Sequence, residues 1–201
     1  MSGLRDTHCA RADAPGGAHP RRRGQRGAAI DAVSGLRGYE SKVISTVAST
    51  LVLGLGNPIL TDDGVGIHVV RALAGRVHRP DVDLAEASVG GLRLLDIIVG
   101  YERVILVDAI QSRNGNVGDI HCLHPSDLRA SLHAGSTHDL SLPAALALGR
   151  RLGMGIPADE AITIIAIEVE DVLTFGESCT PRVQAVIPQA VQTVLAELEK
   201  F

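Results

Sequence analysis

Three places in this chain carry side chains that can hold a metal ion or move a proton, and each follows a segment with the character of a buried strand or opens a helix. Asp62 and Asp63 come after the apolar run TLVLGL and the turn residues Gly56 and Asn57. Asp108 directly follows RVILV, and His138 stands in STHDL at the head of a helical stretch. Two carboxylates and one imidazole make an oxygen, oxygen, nitrogen donor set. Three protein ligands with open positions are the pattern of a catalytic or exchangeable metal site, suited to zinc or nickel.

Each residue also has a purely structural reading. Asp62 is a good helix N-cap, and Asp63 suits a first helical turn, where the helix dipole favours an anion. His138 could equally cap or pack. Asp108 is harder to dismiss, because a carboxylate straight after five apolar strand residues is costly unless it is paired or coordinated. His68 lies five positions beyond Asp63, on roughly the opposite side of a helix, and reads as non-ligating. His121, His124 and His133 are weaker candidates, near the others only in sequence.

These side chains need a scaffold, and the chain alternates strand and helix signals from about residue 48. TLVLGL, VDLAEAS (82–88), RVILVDAI (103–110) and AITIIAIEV (161–169) read as strands. The continuous apolar runs among them suit strands buried on both faces. An edge-like strand is expected in NGNVGDIHCLHP. Helices are expected from Asp62 onward, over GGLRLLDIIVG (90–100), over HDLSLPAALALGRRLGM with Pro143 in its first turn, and over TPRVQAVIPQAVQTVLAELEK. In the last, Thr180 is placed to cap and Pro181 to open the helix, and the apolar phase survives Pro188, which predicts one kinked helix. The expectation is an α/β fold with a mostly parallel sheet, whose ligands bind beyond the carboxyl ends of the strands. Asp62 or Asp63, Asp108 and His138 can converge on that rim.

Composition narrows the function classes. The chain has 201 residues, is 45% hydrophobic and only 2% aromatic, and has no tryptophan, so its core is built from Val, Ile, Leu and Ala. Residues 1–50 hold eight basic against four acidic residues, which leaves -8 on the remainder of a chain whose net charge is -4. An acidic body does not suit a nucleic-acid backbone. No apolar run spans a bilayer. Cys9, Cys122 and Cys179 are odd in number and lack a CxxC spacing, in keeping with a reducing compartment. Residues 1–46 are rich in Gly, Ala, Pro and Arg without an apolar period, and are expected to be a disordered basic extension to a single domain over 47–201. The run of Arg21, Arg22 and Arg23 lacks the apolar segment that an export signal needs behind it.

The stretches GLGNPILTDDGVG, VILVDAI and STHDLSL, in this order, resemble the hydrogenase maturation proteases, the endopeptidases that finish the large subunit of nickel-iron hydrogenases. The resemblance runs from about Thr50 to the C-terminus and includes Gly90-Gly91 and FGESCTPRV. It implies a three-layer α/β/α fold around a twisted, mixed sheet. It also implies an acid, acid, histidine set, which by motif position is Asp63, Asp108 and His138, serving as metal ligands and catalytic groups. Some members carry Glu at the first position, one methylene longer than Asp63.

The implied activity is one cut near the C-terminus of the large-subunit precursor after nickel insertion, in the cytoplasm. HExxH and G-x-S-x-G are both absent, so neither the helix-borne zinc site nor the serine elbow applies. Two versions of the chemistry remain. In one, a bound metal such as zinc activates water. In the other, the nickel is supplied by the substrate and aligns the scissile bond. A non-catalytic nickel-binding maturation factor and a nucleotide-binding oxidoreductase are the alternatives. For the latter, Gly54, Gly56 and Ile59 fail at the third glycine, and Glu86, a candidate ribose-binding acid, lies too far along for the usual spacing.

Overall fold

Both faces of the sheet must be covered before runs such as LVLGL and ITIIAI are stable as strands, and the structure covers them. It is a computed structural model that describes residues 49–130 and 141–200; the expected extension at 1–46, His133 and His138 lie outside the described residues. Five strands, β1 (Thr50–Leu55), β2 (Val82–Ala87), β3 (Arg103–Ile110), β4 (Ile120–Leu123) and β5 (Ile162–Glu168), form one sheet in the order β2-β1-β3-β5-β4. All neighbours pair in parallel except β4, which runs antiparallel to β5 at the edge. The sheet is therefore mixed, as expected.

Alternation along each strand divides the core into two layers. Val52, Ile105, Val107, Ile165 and Ile167 face helices α1 (Val65–Leu73) and α5 (Pro181–Leu198). Leu51, Leu53, Val104, Leu106 and Ile164 face α2 (Arg93–Ile98) and α4 (Leu142–Arg151). At about 25 cal/mol per Å² of apolar area, these two layers are the main source of stability. Helix α5 runs unbroken through Pro188, and Pro143 sits in the first turn of α4. A further short helix, α3 (Pro125–Ala130), was not expected from the sequence. No helix among the described residues is long and apolar enough to cross a membrane.

The amino end of the sheet is closed by a buried ion pair. Arg103 at the start of β3 reaches Glu197 of α5 at 2.9 Å, and Thr163 of β5 donates to the same carboxylate at 3.1 Å. The opposite, carboxyl end is open, and the chain's path sets where. From β1 it crosses through α1 to β2, then through α2 to β3 on the other side of β1. The carboxyl ends of β1 and β3 are thus the point where the strand order reverses, which is where open α/β sheets leave a crevice.

Candidate active site

That crevice is a pocket of about 230 Å³ lined by Leu55, Gly56, Asn57, Asp63, Ser88, Val89, Gly90 and Asp108. Three segments supply it: the turn after β1, the loop after β2 and the end of β3. The turn after β1 depends on glycine for two separate reasons. Gly56 has φ +128°, and a Cβ there would lie 1.8 Å from the Asp63 carbonyl oxygen, so only glycine lets the chain double back on itself. Gly54 and Gly66 bring β1 and α1 into backbone contact, since a Cβ on Gly54 would meet the Gly66 carbonyl at 2.4 Å.

The two adjacent acids then separate in role. Asp63 accepts a 2.6 Å hydrogen bond from the Asn57 backbone N–H, which fixes its carboxylate at the pocket wall. Asp62 turns the other way and is fully buried, at 0% exposure. Its carboxylate accepts from the backbone N–H groups of Glu170 (3.3 Å), Asp171 (3.1 Å) and Thr180 (2.6 Å) and from the Thr180 hydroxyl (3.1 Å). The N-cap reading of Asp62 is therefore corrected, since Leu60 holds that position before the 3-10 turn Thr61–Gly64. Thr180 does hold the N-cap position of α5 with Pro181 after it, as expected, but its hydroxyl donates to Asp62 instead of capping the helix. A tertiary partner offered both groups a better arrangement than their own helix ends.

Asp108 shares its strand face with Leu106, and its Oδ1 accepts the Ala109 N–H at 2.9 Å. Burial pushes its carboxyl up to about 7, the bond from Ala109 opposes this, and the nearby Asp63 charge adds to the rise. A carboxyl held near neutrality can exchange a proton with a reacting group, or be relieved by a cation. The donor chemistry fits a divalent metal: Asp63 and Asp108 offer hard oxygens to one open pocket. Among the described residues no group of three His, Cys, Asp or Glu could hold a metal ion, and His138 lies outside them.

The other histidines have different surroundings. Nε2 of His68 is buried without a hydrogen-bond partner, burial lowers its pKa, and it is not among the residues lining the pocket. Nδ1 of His124 meets the Ile162 carbonyl at 2.8 Å. His121 lies 3.7 Å from Glu168. Glu168 itself was not singled out from the sequence. It is a buried carboxylate at the end of β5 that accepts the Ser112 N–H at 3.1 Å and backs the loop after β3. The signal that drew notice to Asp108, an acid ending an apolar strand, was present there too. Glu86 forms a two-pronged bond with Arg71 on the surface, away from the ribose-binding role considered for it. Cys122 and Cys179 are free thiols, and burial pushes Cys179 up to about 11.

The sequence model described as hydrogenase maturation protease matches residues 67–197. The chain belongs to the hydrogenase maturation protease family. Family membership removes the oxidoreductase alternative. The hydrogenase 2 maturation protease of Escherichia coli (strain K12) is 31% identical over 152 residues, covering 75% of this chain and 90% of that one. The solved structure of the hydrogenase maturating endopeptidase HybD from E. coli superposes with a TM-score of 0.65 at 31% identity, over 75% of this chain and 92% of the other. The [NiFe] hydrogenase maturation protease HybD from Thermococcus kodakarensis superposes with a TM-score of 0.54 at 26% identity, over 73% and 97%. The fold and the endopeptidase class are those of this family, and the α/β/α sandwich with a mixed sheet is as expected.

Proposed function

We propose that this family member removes the C-terminal extension of a nickel-iron hydrogenase large-subunit precursor in the cytoplasm, after nickel has been inserted, and that Asp63, Asp108 and His138 act by completing the coordination of the nickel that the precursor brings. The observation that carries this reading is the convergence of Asp63 and Asp108 on one open pocket at the switch point of the sheet. Besides the two acids, the pocket is lined among the described residues by Leu55, Gly56, Asn57, Ser88, Val89 and Gly90, none of them carrying a charge. A metal held by the substrate supplies selectivity, and aligning the peptide in this way is worth about 7–11 kcal/mol of barrier.

The chain's own groups have distinct tasks. Asn57 N–H holds the Asp63 carboxylate at the pocket wall, where it would meet the metal. Asp108, near neutrality in pKa, meets the incoming cation by releasing its proton. Hydrolysis adds water across the peptide, with hydroxide joining the carbonyl carbon and the proton going to the departing amine.

The test is to incubate the purified protein with metal-free and nickel-loaded precursor and follow shortening by gel mobility and intact mass. Cutting of the loaded form alone is expected. Equal cutting of both forms would place the metal, zinc or nickel, on the enzyme. Nickel binding without cutting of either form would make the protein a non-catalytic maturation factor.

A further inference from the structure

The strongest unassigned feature is an exposed apolar patch beside the pocket. Leu173 is 83% exposed, Phe175 79% and Ile59 49%. Phe175 is one of only four aromatic residues in the chain. Exposure of this kind on a loose loop would mean little, but this segment is held firmly. Leu60 makes β-bridges to Phe175 and Gly176, and Gly176 N–H donates to the Ile59 carbonyl at 3.0 Å. The Thr61 hydroxyl donates to the Thr174 carbonyl at 2.7 Å, and Asp171 Oδ1 accepts the N–H groups of Leu173 and Thr174. Asp62 clamps the segment at both ends, at Glu170-Asp171 and at Thr180.

The patch is continuous with the pocket. Asn57 lines the pocket, donates its N–H to Asp63 and accepts the Ile59 N–H on its side chain at 3.2 Å. Its surroundings are mainly acidic, with Glu170, Asp171 and Glu177 on the same segment and Arg182 3.8 Å from Glu170. A firmly held aromatic anchor with a rim in which one sign of charge predominates is how protein interfaces concentrate their binding energy and choose partners.

We infer that Ile59, Leu173 and Phe175 are the docking surface for the folded body of the protein substrate, which meets them with an apolar patch flanked by basic side chains. This rests on the function proposed above. It explains how the pocket is brought to one bond: the substrate is held on the patch, and its tail is presented to Asp63 and Asp108.

The probe is the nickel-loaded large-subunit precursor. The double variant Leu173→Ser/Phe175→Ser is compared with the wild type, and Phe175→Leu serves as the conservative control. Both side chains lie in solvent, so the melting temperature is expected to hold. The expected result is a KM raised at least about tenfold with kcat at saturation within about twofold, and a KM largely regained in Phe175→Leu. An unchanged KM in the double variant overturns the docking surface and leaves the proposed cleavage standing. Binding is measured separately with Asp108→Asn, which is expected to co-elute with the precursor unless the two serines are added. If the wild type cuts nothing but this patch-dependent binding is seen, the cleavage reading fails and the docking surface stands. Dimerisation of the free wild type that Phe175→Ser abolishes would give the patch to a second copy of the chain and overturn the proposal.

Discussion

Asp63 and Asp108 face one pocket from segments 45 positions apart, and neither is joined to a cation among the described residues. Burial, and then the Asp63 charge, hold Asp108 protonated up to about pH 7 against the downward pull of the Ala109 N–H. The unfolded chain releases the same proton near pH 4. Between these values the folded state carries the extra proton, so the metal-free protein loses stability as pH rises from about 4 to about 7. The difference corresponds to roughly 4 kcal/mol at its upper bound. In Asp108→Asn that loss should vanish, giving greater stability than wild type at pH 8 and none of its processing activity. Urea unfolding at pH 5 and pH 8, with and without chelator, checks the first half; the precursor assay checks the second.

The neighbouring acids should respond in opposite ways. Asp62→Asn replaces an acceptor in a fully buried cluster of donors and is expected to cost about 2–4 kcal/mol. Asp63→Asn should cost less than about 1 kcal/mol yet end cleavage, because Asp63 lines the pocket and meets one backbone N–H. Equal stabilities for the two variants would contradict the division of roles.

Gly56→Ala should damage both folding and activity. The added methyl would collide with the Asp63 carbonyl, and φ +128° strains any L side chain. A loss of about 3 kcal/mol or more is expected, read as a lower denaturation midpoint.

A chain beginning at Val47 should keep its melting temperature and its cleavage rate, on the compositional argument that the preceding residues lack core-forming periodicity. A large fall in either would show that the basic extension packs or docks.

The strands around the site were legible because their surroundings are simple. RVILVDAI and ITIIAIEV are buried on both faces, so hydrophobicity alone marks them, and Asp108 stands out as the break in such a run. Helix α3 was missed because PSDLRA is too short to display a helical period. Asp62 was misread because every partner of its carboxylate lies 108 to 118 residues away, where local capping rules have no view. Asn57, Ser88 and Val89 carry no chemical signature of their own, and they matter through the pocket that the strand order creates.

The bonds from Asp62 to Thr180 also set a timetable for synthesis. A chain made from its N-terminus exposes the turn bearing Asp63 early, but the clamp on that turn closes only when Thr180 and helix α5 have emerged. The fifth strand, which pairs with β3 beneath Asp108, is also late. Native pairing at such separation comes after local structure has formed. A nascent chain therefore has Asp63 before it has the clamp that holds the neighbouring Asp62, and the turn is fixed only once Thr180 can reach it.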